Sequence, residues 1–231
     1  MFDFTPDELV AINLSLKIAF VATAVALPFG IAVAWLLARK EFWGKTLLDG
    51  VVHLPLVMPP VVTGYLLLIT FGRRGPVGQF LEQTLGIVLS FRWTGAALAC
   101  GIMGFPLLVR PIRLAIEAID QRLEEAAATL GASRTRVFFT MTLPLAAPGL
   151  IAGFVLCFAK ALGEFGATIT FVSNIPGETQ TISAAIYTVT QTPGGDEAAL
   201  RLTIVAIVIS FAALVVSSLF ARRAGLRFHG H

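Results

Sequence analysis

From Ile18 to Ala38 the chain carries no Asp, Glu, Lys or Arg, and that run decides which solvent its side chains meet. At 1.5 Å per residue it is long enough to cross a hydrocarbon core of ~30 Å as a helix. Four similar runs follow, at about 50–71, 94–112, 148–172 and 202–221. Span three, 94–112, has Arg110 and Arg113 at its end, which can snorkel toward the headgroups, and span four, 148–172, is interrupted only by Lys160 and Glu164. With 56% hydrophobic and 13% charged residues, the chain lacks the water-facing surface of a soluble domain, where charged residues are about a quarter. A spanning backbone must satisfy its own hydrogen bonds, as helices or as a closed barrel. The runs are continuous rather than alternating, so the expected fold is all-α: an integral membrane bundle of about five transmembrane helices in one domain over 1–231.

Details of the runs refine this picture. Pro55, Pro59 and Pro60 remove backbone donors and are expected to kink span two, and Pro106 and Pro111 to bend span three. Gln79–Ser90 and Thr181–Gln191 are mildly apolar but too short to cross, so they are expected in the interface or dipping back into the protein. Asp3, Asp7 and Glu8 precede the first run, opposite to the basic start of a secretory signal, so that helix is expected to stay in the mature protein. Cys100 and Cys157 lie inside apolar runs without metal or CxxC spacing and are expected as packed thiols. The net charge of +3 is scattered and gives no nucleic-acid arm.

Basic residues assign the sides. Arg39, Lys40 and Lys45 follow span one; Arg110, Arg113, Arg122, Arg134 and Arg136 follow span three; Arg222, Arg223 and Arg227 follow span five. The positive-inside rule places these loops in the cytoplasm, with the N-terminus outside and the C-terminus inside. Arg73, Arg74 and Arg92 fall on the outer side as exceptions. For Arg73 and Arg74 the readings are interfacial anchoring, attraction of an anion, or docking of an external protein.

The inner loop of about 117–142 carries the strongest functional pattern. Ile116, Ile119, Leu123, Ala127 and Leu130 recur at helical spacing, opposite Asp120, Gln121, Glu124 and Glu125, which predicts an amphipathic helix on the cytoplasmic face. Ala126 and Ala127 are small enough for close approach to a partner, Gly131 is a plausible stop, and Pro144 is expected to break any run continuing into span four. The pattern Glu125-Ala126-Ala127, then Gly131, then Leu143-Pro144 resembles the coupling motif of bacterial ABC importer permeases, with Met141 where that family usually has Ile. The stretches His53–Val62 and Leu162–Phe171, running on to Thr181, resemble the molybdate branch, with tungstate, sulfate and thiosulfate permeases as relatives. The likeness covers roughly residues 12–220.

The resemblance implies a homodimer in the bacterial cytoplasmic membrane, two cytoplasmic ATPase subunits docked on Glu124, Glu125, Ala126, Ala127, Gly131, Leu143 and Pro144, and an external oxyanion-binding protein. ATP and Mg would sit in the ATPase. This chain's own Gly44-Lys45-Thr46 has Arg39 where a phosphate loop needs its first Gly, so no cofactor is expected on it, and no enzymatic activity. Five spans are few to enclose a pore, which also favours two copies around an axis.

Lys160 and Glu164 stand four residues apart on one helix face and are expected either to gate the pathway or to form an internal salt bridge. Gly163 and Gly166 would permit close packing or flexing at that level, and Thr168, Thr170, Ser173 and Asn174 would offer neutral donors to a passing oxyanion. His53 is expected to be packed and hydrogen-bonded, and with His229 and His231 in the tail it forms no cluster. An ion-coupled secondary transporter would need several buried mid-membrane carboxylates and repeats, and only Glu164 sits well inside a span.

Overall fold

A computed structural model describes residues 4–228, with side chains through Val216 and at Leu219. Asp3, His229 and His231 lie outside it, and the side chains of Arg222, Arg223 and Arg227 are not described. Among the described residues the regular elements are all helical. In order they are α1 (Pro6–Arg39), α2 (Lys45–Val57), α3 (Pro60–Phe71), α4 (Pro76–Leu85), α5 (Trp93–Glu117), α6 (Gln121–Thr129), α7 (Arg134–Val137), a π-helical turn (Phe138–Thr142), α8 (Leu143–Leu145), α9 (Ala147–Leu162), α10 (Gly166–Val172), α11 (Ile182–Thr190) and α12 (Asp196–Phe228).

Three helices, α1, α5 and α12, are long and apolar enough to cross a membrane alone, and the number reaches five if each of two bent pairs, α2 with α3 and α7–α8 with α9, is one crossing. Phe20, Val25, Phe29, Ile207 and Phe211 stand exposed, an apolar exterior that requires lipid or a partner rather than water. The chain is a multi-pass membrane protein.

α1 begins well before its uncharged run. Thr5 and Glu8 form a reciprocal cap, the Thr5 hydroxyl accepting from the Glu8 amide at 3.3 Å and the Glu8 carboxylate accepting from the Thr5 amide at 2.7 Å, which satisfies two orphan donors at once. The other Glu8 oxygen receives Arg201 of α12 at 2.9 Å. Lys17 stacks over the Trp93 ring at 3.8 Å, keeping its charge off the hydrocarbon.

Small residues let the spans approach closely, as expected where lipid removes any hydrophobic drive between helices. α1 and α5 run parallel. Leu14, Ile18 and Ala22 pack near Ala96, Cys100 and Met103 at one end, and Ala34 and Leu37 pack near Val109, Ile112 and Ile116 at the other. A Cβ on Gly30 would lie 2.7 Å from Leu108. α9 runs back antiparallel, where a Cβ on Gly104 would lie 2.6 Å from the Cys157 sulfur. Both cysteines are buried, and the Cys100 thiol donates to the Ala161 carbonyl at 3.6 Å.

Several expectations are corrected. Span two is not one kinked helix: α2 and α3 meet at Met58–Pro59 with a 113° bend, because consecutive Pro59 and Pro60 withhold two donors and restrict the residues before them. The run 148–172 breaks after Leu162 and restarts at Gly166. Gln79–Ser90 is the end of α4, closed by Gly86 in the left-handed region at φ +66°, followed by a non-helical stretch. Thr181–Gln191 forms α11, capped by Thr181, and dips into the protein, one of the two places expected for it: Ile182 and Ala185 are buried against Ala11 and Leu202, while Tyr187, Thr188 and Thr190 are exposed. The segment expected as one amphipathic helix is two, since Ile116 is buried in α5 and Asp120 starts α6 by accepting from the Arg122 amide at 2.9 Å. Pro144 does not end a helix either. It lies inside α8, preceded by the π turn, and the 68° bend falls two residues later, before Ala147–Pro148. A proline tolerated at a first helical turn explains both positions.

Candidate functional site

Two places in this bundle combine irregular backbone with polar chemistry, and α9 joins them. The first is the break between α9 and α10. Gly163 ends α9, and Glu164 then turns its carboxylate in two directions. Oε1 accepts from the Ala167 amide at 2.9 Å and Oε2 from Lys160 Nζ at 2.6 Å. Glu164 is 1% exposed and the Lys160 side chain 29%. The pair therefore spans the break, with a cation in the last turn of α9 and an anion in front of α10, each at the helix end whose dipole favours it. The four-residue spacing left a gate and an internal salt bridge open, and the structure pairs the two side chains.

α10 packs tightly on α3. A Cβ on Gly166 would lie 2.8 Å from the Pro60 ring, and one on Gly64 would lie 2.6 Å from the Ala167 carbonyl oxygen and 2.8 Å from Thr170 Cβ. The N-terminal ends of the two half-helices thus meet at one level. Thr63, 4% exposed, keeps an unpartnered hydroxyl there. Gly163, by contrast, is exposed, and a Cβ there would come no nearer than 3.9 Å to another atom, so it ends α9 without a close helix contact.

The neutral donors are placed differently from expectation. Thr168 donates to the Phe165 carbonyl at 2.9 Å and Thr170 to the Gly166 carbonyl at 2.8 Å, so both hydroxyl protons are spent on their own helix. Ser173 and Asn174 lie past the far end of α10, roughly 10 Å along its axis. Ser173 adopts φ +67° and terminates α10, and Asn174 donates to Thr188 at 2.7 Å. Of the predicted set, Lys160, Glu164 and Thr168 share the break, Gly166 and Thr170 face α3, and Ser173 and Asn174 belong to a separate corner.

The second place is α6, which stands at the opposite end of α9 with no buried residue. Leu123, Glu125, Ala126, Leu130 and Gly131 are exposed, and Ala127 is half-buried. Gly131 sits at φ +86°, its amide bonding Ala128 O at 3.0 Å while the Ala132 amide bonds Ala127 O at 3.1 Å. This pattern of paired bonds closes a helix through a left-handed glycine.

Glu124 alone turns inward. Its Oε1 accepts from Arg39 at 3.2 Å and from the Thr142 hydroxyl at 2.7 Å, and Arg39 also donates to the Ile119 carbonyl at 3.1 Å. One carboxylate therefore ties α6 to the end of α1 and to the π turn that leads through Leu143 and exposed Pro144 into α9. Arg39 and Thr142 were not singled out from the sequence. Arg39 read as a topology marker and as the residue that rules out a phosphate loop, and nothing in the spacing joins residues so far apart in the chain.

α9, with 16 residues, is roughly 24 Å long. It links this end to the Lys160–Glu164 break as one rod. His53 is hydrogen-bonded within α2, Nδ1 lying 2.9 Å from Asp49 O, and Asp49 pairs with Arg113 of α5 at 3.0 Å. Among the described residues no group of three His, Cys, Asp or Glu side chains could hold a metal ion.

Comparison with known proteins locates this arrangement. Residues 26–225 match the family described as binding-protein-dependent transport system inner membrane component. The chain is 59% identical over 218 residues to the molybdenum transport system permease protein ModB of Escherichia coli (strain K12), covering 94% of this chain and 95% of that one. It is 36% identical over 221 residues to the sulfate transport system permease protein CysT of Salmonella typhimurium, covering 94% and 79%. A bacterial ABC transporter involved in import of the acidic polysaccharide alginate shares the fold, with a TM-score of 0.74 at 19% identity over 95% of this chain and 80% of that one.

Proposed function

Because this chain belongs to the binding-protein-dependent transport system inner membrane components, we propose that it is the permease subunit of an ATP-driven importer that carries molybdate across the cytoplasmic membrane. The observation that carries this reading is the 59% identity to a molybdenum transport permease across 94% of the chain, a span that includes both α6 and the α9–α10 break.

In this reading the end bearing α6 faces the cytoplasm, and Glu125, Ala126, Ala127 and Gly131 offer an exposed helix to a separate ATPase that holds ATP and Mg. Glu124 fixes that helix to α1 and the π turn, and α9 carries its displacement to Lys160 and Glu164. Two copies would place the two α3–α10 contacts beside a shared axis, and an external binding protein would deliver the oxyanion to the opposite face. The chain is a permease and not the ATPase.

The test is reconstitution of the permease with its ATPase and binding protein in proteoliposomes, measuring ATP-driven uptake of labelled molybdate. Uptake is expected to require ATP and to resist excess sulfate. Uptake displaced by equimolar sulfate, or independent of ATP, would overturn the assignment. Competition by tungstate alone would broaden the cargo to both anions.

A further inference from the structure

The turn between α3 and α4 builds a cleft of about 490 Å³ whose lining includes Arg73, Arg74, Gly75, Ser90 and Phe91. Three features of it favour an anion. Arg73 and Arg74 are exposed and have no ion-pair partner among the described residues. α4, ten residues long, starts at this cleft from Gly75 with no side-chain cap, and its first residue is Pro76. The first amide donors behind that proline therefore lack a capping side chain, at the positive end of the helix dipole. Ser90, 4% exposed, lines the same cleft with a hydroxyl that has no partner. A buried hydroxyl without a partner costs free energy that a bound acceptor would recover.

Structural duties do not account for the set. Arginines after α3 complement its carbonyl end, but one cation would serve there, and neither needs Ser90. Lipid-interface anchoring would use the guanidinium groups and leave the hydroxyl unexplained. Two guanidinium groups, a hydroxyl and a helix N-terminus are the donors that recognise a tetrahedral oxyanion group.

We propose that this cleft binds a tetrahedral oxyanion group of charge −1 or −2, supplied either by a free oxyanion such as molybdate, sulfate or phosphate or by the headgroup of an anionic phospholipid. The proposal does not depend on which cargo the permease carries. Arg73 and Arg74 hold the charge, the Ser90 hydroxyl donates to one of its oxygens, and Phe91 lines the apolar side.

The full chain in phosphatidylcholine nanodiscs is titrated with labelled molybdate and labelled phosphate. In parallel, nanodiscs containing phosphatidylglycerol are analysed for lipid retained per chain by native mass spectrometry. Wild type is expected to bind an oxyanion in the first arm, or to retain phosphatidylglycerol in the second, and the arm that responds identifies the source. Replacing both Arg73→Gln and Arg74→Gln is expected to weaken binding or retention at least about tenfold, the loss of one or more charge-assisted hydrogen bonds. Ser90→Ala is expected to weaken it several-fold while leaving the ligand-free melting temperature unchanged or higher, since it removes an unpaired buried hydroxyl. Equal binding and retention by wild type and the double variant would overturn the proposal. So would Ser90→Ala that melts lower without ligand and binds as wild type does, because the hydroxyl would then be structural.

Discussion

Glu164 and Lys160 differ in how much each depends on the other. Lys160→Met leaves a fully buried carboxylate with only the Ala167 amide as a donor, an uncompensated charge expected to cost about 3–5 kcal/mol. Glu164→Gln keeps an oxygen for that amide and releases a lysine that is already partly exposed, so its cost is expected to be clearly smaller. Joining the two substitutions should recover part of the Lys160→Met loss, measured by thermal unfolding and by uptake of the assembled transporter. Strict additivity of the two losses would show that the 2.6 Å contact carries no coupling energy. This pairing was legible because spacing on a helix survives a break placed at its very end. The roles of Thr168 and Thr170 were not. A threonine in an apolar run looks like a donor to cargo, yet inside a membrane its nearest acceptor is the carbonyl one turn earlier, and both hydroxyls take it. Sequence gives residue type; only the fold says whether the proton is already spent.

α6 was readable as a helix from its period, its small residues and Gly131, but not as a helix separate from α5. The signal was present in Asp120, a residue of the type that caps helix starts; the unbroken apolar period from Ile116 hid it. The two glutamates now carry opposite expectations. Glu125→Ala, on the exposed side, should leave folding unchanged and weaken recovery of the ATPase with the permease. Glu124→Ala should let the ATPase copurify yet lower binding-protein-stimulated hydrolysis and uptake together, because it frees α6 from Arg39 and Thr142. If Glu124→Ala loses the ATPase as completely as Glu125→Ala, the inward clamp is not what Glu124 contributes. Gly131→Val forces a branched side chain into φ +86°, a conformation that costs a non-glycine residue roughly 1–2 kcal/mol, and Ala127→Trp overfills a half-buried contact. Both variants should reach the membrane in normal amount and fail in ATPase recovery or in ATP-driven uptake.

For the whole molecule, the three helices able to cross alone, α1, α5 and α12, followed from hydrophobic runs, since length and the absence of charge are what a bilayer selects. The sharp turn at Met58–Pro59 did not, because prolines announce a break without giving its angle; that angle is set by what the freed segment packs against, here α10. Orientation rests on the basic loops. A reporter active only in the cytoplasm fused after His231 and one active only outside fused before Met1 should both give signal. Silence of both, with the protein expressed, would invert the topology.

The contact of Glu8 with Arg201 joins the first helix to the last at 2.9 Å. The carboxylate of Glu8 and the hydroxyl of Ser15, which accepts from the Ile182 amide at 2.7 Å, find their tertiary partners only after the ribosome has added the last quarter of the chain. At about 5–20 residues per second the first helix waits roughly 10–40 s in the bilayer before those partners emerge. During that interval it carries an unneutralised acid at its first turn, a mark by which a membrane protease could tell an unfinished molecule from a finished one. A chain truncated before Asp196 should therefore be degraded faster than the full chain in pulse-chase labelling, and Glu8→Gln should lengthen the life of the fragment. A fragment whose half-life ignores Glu8→Gln would show that the waiting acid is not what is sensed.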